Sequence, residues 1–381
     1  MMKAKGLYIH VPFCLSKCAY CDFCSFTHFD EGLIDSYVDA LIREILEYKR
    51  EERISVDTVF IGGGTPSILT PLQLEKITVA INHTFDLSGL SEFTVEVNPR
   101  TADKEKLSAY RSLGVNRISI GLQSIHENEL KILGRDQSFD DFLAVYHSAR
   151  EVGFENISVD IIYGIPSQTI ESLKETLNRV VDLSPEHISL YSLILEEGTP
   201  IFERMDSLDI PDDDIVYDMY SLVNSTLSQS GYTHYEISNY AKQGFSSCHN
   251  TKYWKLDDYI GVGLSAHSFL GGERFYNPAD RFDITTLFRY IDGELPRIYE
   301  EKPTRENTLS EFVMLGLRTS FGISLAEFKE RFGEDFVSSR KREIDGFINN
   351  GLAKISDERF YLTEQGMFVS NSIILELLKT T

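Results

Sequence analysis

Four of the chain's five cysteines fall within eleven positions, in the stretch CLSKCAYCDFCSF over residues 14–26. Their spacing is C-x3-C-x2-C-x2-C, at Cys14, Cys18, Cys21 and Cys24, and the fifth, Cys248, lies more than 200 residues further on. Three chemistries use thiols packed this closely: a disulfide framework, a structural zinc or an iron–sulfur cluster. An odd cysteine count speaks against the first. So does an N-terminus that reaches cysteine before any apolar leader, which reads as a cytoplasmic chain whose thiols stay reduced. Structural zinc usually takes two short ligand pairs separated by roughly a dozen residues or more. Iron–sulfur clusters accept ligands from one compact loop. A second stretch with ligating side chains is SSCHNTKYW, residues 246–254, where His249 lies five residues before the only tryptophan, Trp254. Histidine and cysteine both ligate heme iron. A loop histidine bonded to its neighbours explains the same residues.

The cysteine loop must be held by something. From residue 6 to about 195, short β-rich apolar runs alternate with amphipathic stretches. The runs are 7–13, 57–64, 92–99, 116–124, 156–164 and 186–195, and helical patterns such as 33–48 and 103–114 lie between them. In the latter, Leu107, Tyr110 and Leu113 recur at helical spacing, and Gly114 is placed to end the helix. Strand then helix, six times, predicts an α/β fold of parallel strands with helical crossovers. Six units suit an open, partial (β/α)6 TIM-like barrel, and a doubly wound sheet is the competing architecture. Gly and polar residues collect at the C-terminal strand ends, where such folds bind ligands, with Glu96, Gln123 and Asp160 among apolar neighbours. The cysteine loop follows the first strand and so faces that edge.

Residues 271–302 read as a connecting segment with one short helix. Residues 303–381 change pattern: three helices (306–320, 324–333, 338–351), a hairpin over 352–363 turning at Asp357–Glu358, and a final helix. That is the order of a winged-helix-like domain. The domain carries ten Lys or Arg against twelve Asp or Glu, although Arg340, Lys341 and Arg342 cluster on its third helix. The whole chain of 381 residues has a net charge of −22, and 42 % of it is hydrophobic. Such an acidic chain is not expected to bind nucleic acid, whose phosphates are met by basic faces.

The C-x3-C-x2-C core, with an aromatic before the last cysteine, resembles the radical S-adenosylmethionine (SAM) enzymes. With YIHVPFC, CAYCDF, GGGTPS, EVNP, NRISIGLQS, DIIYGIP, YEISNYA, HNTKYW and GVGLSAHS, most of residues 6–270 resembles the oxygen-independent coproporphyrinogen III oxidase family. The oxidases carry a further cysteine one residue after the third and a long segment before the cluster. Here residue 23 is Phe, the motif begins at residue 14 and the extra thiol is Cys24. The likeness is therefore to the HemW-type heme-chaperone branch. It implies a radical SAM barrel over 1–270 and a [4Fe–4S] cluster held by Cys14, Cys18 and Cys21. It also implies SAM contacts at Tyr8, Tyr20, Gly64, Thr65, Glu96, Gln123, Arg135 and Asp160, with Cys24 a spare thiol. Heme is implied at His249, and an acceptor hemoprotein, soluble or membrane-associated, as the partner. The alternatives are the oxidase itself and a radical SAM enzyme acting on RNA.

Overall fold

A computed structural model describes residues 3–379 of the chain. Six parallel strands form its centre: β1 (Lys5–Val11), β2 (Val56–Gly63), β3 (Glu92–Val97), β4 (Arg117–Gln123), β5 (Ile157–Tyr163) and β6 (His187–Ser192). They lie side by side in chain order. A doubly wound sheet reverses its strand order at a switch point. Sequential order with crossovers of one hand puts every helix on the same face and curls the sheet into a barrel. The crossover helices are α1 (Glu31–Glu47), α2 (Pro71–Thr84), α3 (Lys104–Ser112), α4 (Glu127–Ile132), α5 (Phe139–Glu151) and α6 (Ile170–Leu183). Their starts are written in the sequence. Asp30 and Asp103 cap α1 and α3, and capping boxes open α2 (Thr70, Gln73), α5 (Ser138, Asp141) and α6 (Thr169, Ser172). Gly114, at φ 96°, makes the left-handed turn that releases the chain from α3.

The barrel stays open. Beyond β6 the sheet continues through two antiparallel strands, β7 (Thr233–Glu236) and β8 (Asn239–Ala241), of which β8 pairs with β6. On the other side β1 pairs in parallel with β9 (Tyr259–Val262). Then follow β10 (His267–Leu270), β11 (Glu273–Tyr276) and β12 (Ile298–Tyr299). Residues 271–302 are therefore more than the expected connector, because they supply two strands and a helix (Thr285–Ile291) to the large domain. The reason is a buried carboxylate on α1. Glu44 accepts hydrogen bonds from Gly263 N, Asn277 Nδ2, Tyr290 Oη and Arg297 at 2.5–3.0 Å, which pins this segment to the barrel.

A second apolar core, from Leu309 to Leu377, holds the C-terminal part. It has the expected helices, Arg305–Leu317 and Leu325–Phe332, and a small sheet of β13 (Ile323–Ser324), β14 (Ala353–Ser356) and β15 (Arg359–Leu362) in the order β13-β15-β14. The hairpin turns at Asp357 (φ 49°) and Glu358 (φ 57°), both left-handed, as a two-residue turn between twisted strands requires. The third helix differs from expectation. It is broken into Phe336–Ser339 and Lys341–Asn349 with no side-chain cap at Arg340, because Arg340 is buried and donates to Leu377 O at 3.0 Å. Arg340 is thus withdrawn from the cluster, leaving Lys341, paired with Asp345, and Arg342 exposed. The two cores meet where Phe368 packs on Tyr217 and Tyr220 and where Arg274 pairs with Glu311 at 2.6 Å. Among the described residues no helix is long and apolar enough to cross a membrane.

Candidate functional site

The cysteine loop leaves β1 at Val11 and is closed like a clasp. Cys14 N donates to Phe26 O at 3.0 Å, and Phe26 N to Pro12 O at 2.8 Å. The loop lies over the C-terminal ends of the strands beside a cavity of about 560 Å³. Cys14, Cys18 and Cys21 all line that cavity. Burial raises the Cys14 thiol above its ordinary range and pushes Cys21 up to about 11, with the neighbouring thiols adding to both. Thiolates gathered this closely are favoured by nearby positive charge. Arg135 supplies it within the same cavity and donates to Tyr20 Oη at 3.1 Å. The loop sits against the turn after β2. Gly64 N donates to Val11 O and Thr65 N to Phe13 O at 2.7–2.8 Å. A side chain at Gly64 would stand 2.7 Å from Phe13 O and 3.0 Å from Cys14 Sγ, so only glycine permits this approach.

Tyr20, Gly64, Thr65, Glu96, Gln123, Arg135 and Asp160 line the same cavity, drawn from the cysteine loop, β3, β4, β5 and the turns after β2 and α4. Gln123 ends β4 at a bulge with φ 69°, a backbone distortion that re-aims its side chain. Glu96 accepts from Gly63 N at 3.1 Å, and Asp160 from Ser119 Oγ at 3.0 Å. Burial first, then the charge of Asp160, pushes the Glu96 carboxyl up to about 8, against the pull of Gly63 N–H and Arg117. Burial also raises Asp160. Burial thus holds both carboxyls above their ordinary range, an environment that favours a positively charged ligand beside them.

Two expected residues lie elsewhere. Tyr8 is deeper in the barrel, bonded to His10 Nδ1 at 3.0 Å, and lines a smaller chamber of about 220 Å³ that shares Glu96 and Asp160 with the larger cavity. His249 belongs to the helix Cys248–Trp254, which packs on β2. Glu92, at the start of β3, receives the Cys248 and His249 backbone N–H groups at 2.7 and 3.2 Å. The imidazole is 1 % exposed and stacks on Phe60. It is bonded through Nδ1 to Thr58 Oγ1 at 3.0 Å and through Nε2 to Tyr253 Oη at 2.8 Å. With both ring nitrogens bonded to hydroxyls, His249 also lines the smaller chamber that holds Tyr8, Glu96 and Asp160. Burial also lowers its pKa to about 3, keeping the ring neutral. Cys24 belongs to the main apolar core, and its backbone carbonyl receives His10 Nε2 at 3.0 Å. Sequence reasoning missed Arg117, Ser119 and Gln137. Arg117 is 2 % exposed and had one signal, a charge inside an apolar strand. Gln137, which ties the Gly121 and Leu122 carbonyls together at 2.8–2.9 Å, had none.

An open six-stranded barrel with three thiols at its mouth defines a class. Residues 8–180 match the radical SAM superfamily, and residues 304–369 the HemN C-terminal domain. The heme chaperone HemW of Bacillus subtilis is 36 % identical, covering 97 % of this chain and 98 % of that one. That of Lactococcus lactis is 34 % identical over 99 % and 98 %, and that of Escherichia coli 33 % identical over 97 % of each. The chain belongs to this HemW family of radical SAM proteins. Its fold is also that of the coproporphyrinogen III oxidase HemN of Escherichia coli, with a TM-score of 0.84 at 23 % identity over 99 % of this chain and 90 % of that one.

Proposed function

We propose that the chain is a cytoplasmic heme chaperone that binds heme and passes it to an acceptor hemoprotein, soluble or membrane-associated. The full-length likeness to curated heme chaperones carries the reading. The oxidase fold cannot separate the two activities, since one scaffold serves several chemistries. Cys14, Cys18 and Cys21 are the ligands for a [4Fe–4S] cluster. Three thiols on one compact loop, an arginine beside them and a glycine that lets the backbone close in all suit that group. Bound there, such a cluster supplies one-electron chemistry toward SAM. Glu96 and Asp160 are placed to receive the positive charge of SAM, Gln123 to orient it, and the Gly64–Thr65 turn to shape its seat. Tyr8 acts from behind, through the chamber it shares with Glu96. The test is an anaerobic heme titration of the iron-loaded chain. About one heme bound per chain is expected, and no saturable binding removes the chaperone reading.

A further inference from the structure

The chamber of about 220 Å³ behind the larger cavity contains a charge that nothing in the chain answers. Each of the six parallel strands contributes to its lining, as does the helix Cys248–Trp254. Arg117, on β4, is the only arginine or lysine among the lining residues. It is buried, and its Nε has no hydrogen-bond partner. Its Nη1 has Thr94 Oγ1 alone, at a long 3.5 Å, and no ion pair among the described residues includes it. Buried charges are paired as a rule, because an unpaired one loses its hydration without compensation. Arg340, the other arginine buried as deeply, follows the rule, with Leu377 O, Ser339 Oγ and the Glu334 carboxylate as partners.

We propose that Arg117 receives one propionate carboxylate of the porphyrin in this chamber; this rests on the heme-chaperone reading above. Pockets that enclose a whole drug-sized ligand run from roughly 300 to 1,000 Å³, so the chamber suits an arm of a molecule rather than a macrocycle. The Asn250 side-chain amide, in the same lining, makes no hydrogen bond within the chain and offers a second donor. A planar guanidinium and an amide suit the two oxygens of a carboxylate. Tyr8, stacked on Phe60 with ring centres 6.2 Å apart, and Tyr253 provide apolar surface for a short hydrocarbon stem. With Asp160 in the same lining, one negative charge is easier to accept than the two of a phosphate. The Glu96 carboxyl, pushed up to about 8, is largely protonated at pH 7 and does not repel an arriving carboxylate.

Phe23 and Tyr191 line both the chamber and the larger cavity, and both rings are exposed. A macrocycle whose arm ends at Arg117 therefore has aromatic faces to lie against where the two spaces join. The contact is an ion pair, so no bond is broken and release leaves the porphyrin unchanged.

The test is titration of the iron-loaded chain with hemin and with hemin dimethyl ester, whose carboxylates are masked, read by the Soret band. Wild type should prefer hemin by about tenfold or more, the size of a charge-assisted hydrogen bond. Arg117→Met should lose the preference by binding hemin as weakly as the ester. Asn250→Ala, at a side chain with no internal bonds to lose, should narrow it. Loosening of the fold weakens both ligands alike, so the ratio reads the carboxylate contact. If wild type binds hemin and the ester equally, or Arg117→Met keeps the preference, the assignment is overturned and the chaperone reading stands. Competitive displacement of hemin by SAM would give Arg117 to the carboxylate of SAM and overturn it as well. If the wild type binds neither porphyrin, both readings fall.

Discussion

Glu96→Gln separates what the site costs the fold from what it does for a ligand. The Glu96 carboxyl ionises near 8 in the folded chain against an ordinary 4.5, chiefly because it is buried beside Asp160. A carboxyl raised in this way favours the unfolded state wherever the unfolded chain has ionised and the folded one has not. Stability is therefore lost as pH rises from about 4.5 to about 8 and is level above that, at about 1.4 kcal/mol per pH unit. At pH 7, allowing for water in the cavity, the ionisable group costs about 2–3 kcal/mol. Glutamine cannot ionise and still accepts from Gly63 N. Urea unfolding of the metal-free chain at pH 5, 7 and 9 should show the variant more stable by that amount at pH 7, more so at pH 9 and hardly at pH 5. Its affinity for SAM, measured on the iron-loaded protein, should fall about tenfold or more, the value of a charge-assisted hydrogen bond. Equal stability at every pH, or SAM binding as tight as wild type, refutes the reasoning.

Cys14→Ala, Cys18→Ala and Cys21→Ala should each abolish iron retention after anaerobic reconstitution. Cys24→Ala should keep it and lose about 1 kcal/mol of stability from the core, read by iron assay and urea titration. His249→Ala should cost about 2–4 kcal/mol by removing a buried ring and its bonds to Thr58 and Tyr253, read by urea unfolding, and should weaken heme binding by the folded fraction. Glu358→Gly should raise the thermal midpoint by relieving a left-handed residue in the hairpin turn, a gain of about 1 kcal/mol.

The barrel was legible because its strands are dense in Val, Ile and Phe and end in glycine or polar turns, and because helix starts such as Thr70-Pro71 and Ser138 announce themselves. Every expected run overlaps a strand, and the cavity residues were reachable through their place at strand ends. The antiparallel margins were not legible. Strands β7 to β12 are two to four residues long, too short for a period of two to show, and Glu44, which pins the last of them, lies more than 200 residues away. The partners of His249, Thr58 and Glu92, were not legible, since they come from strands far away in the chain.

The central claim is that this scaffold holds heme rather than converting a porphyrinogen. The most direct measurement gives the anaerobic, iron-loaded chain coproporphyrinogen III, SAM and a strong reductant, and follows carbon dioxide and protoporphyrinogen IX. The account predicts neither product from protein that binds heme in a parallel sample. SAM-dependent release of carbon dioxide from the propionate side chains would contradict it and make the chain an oxidase.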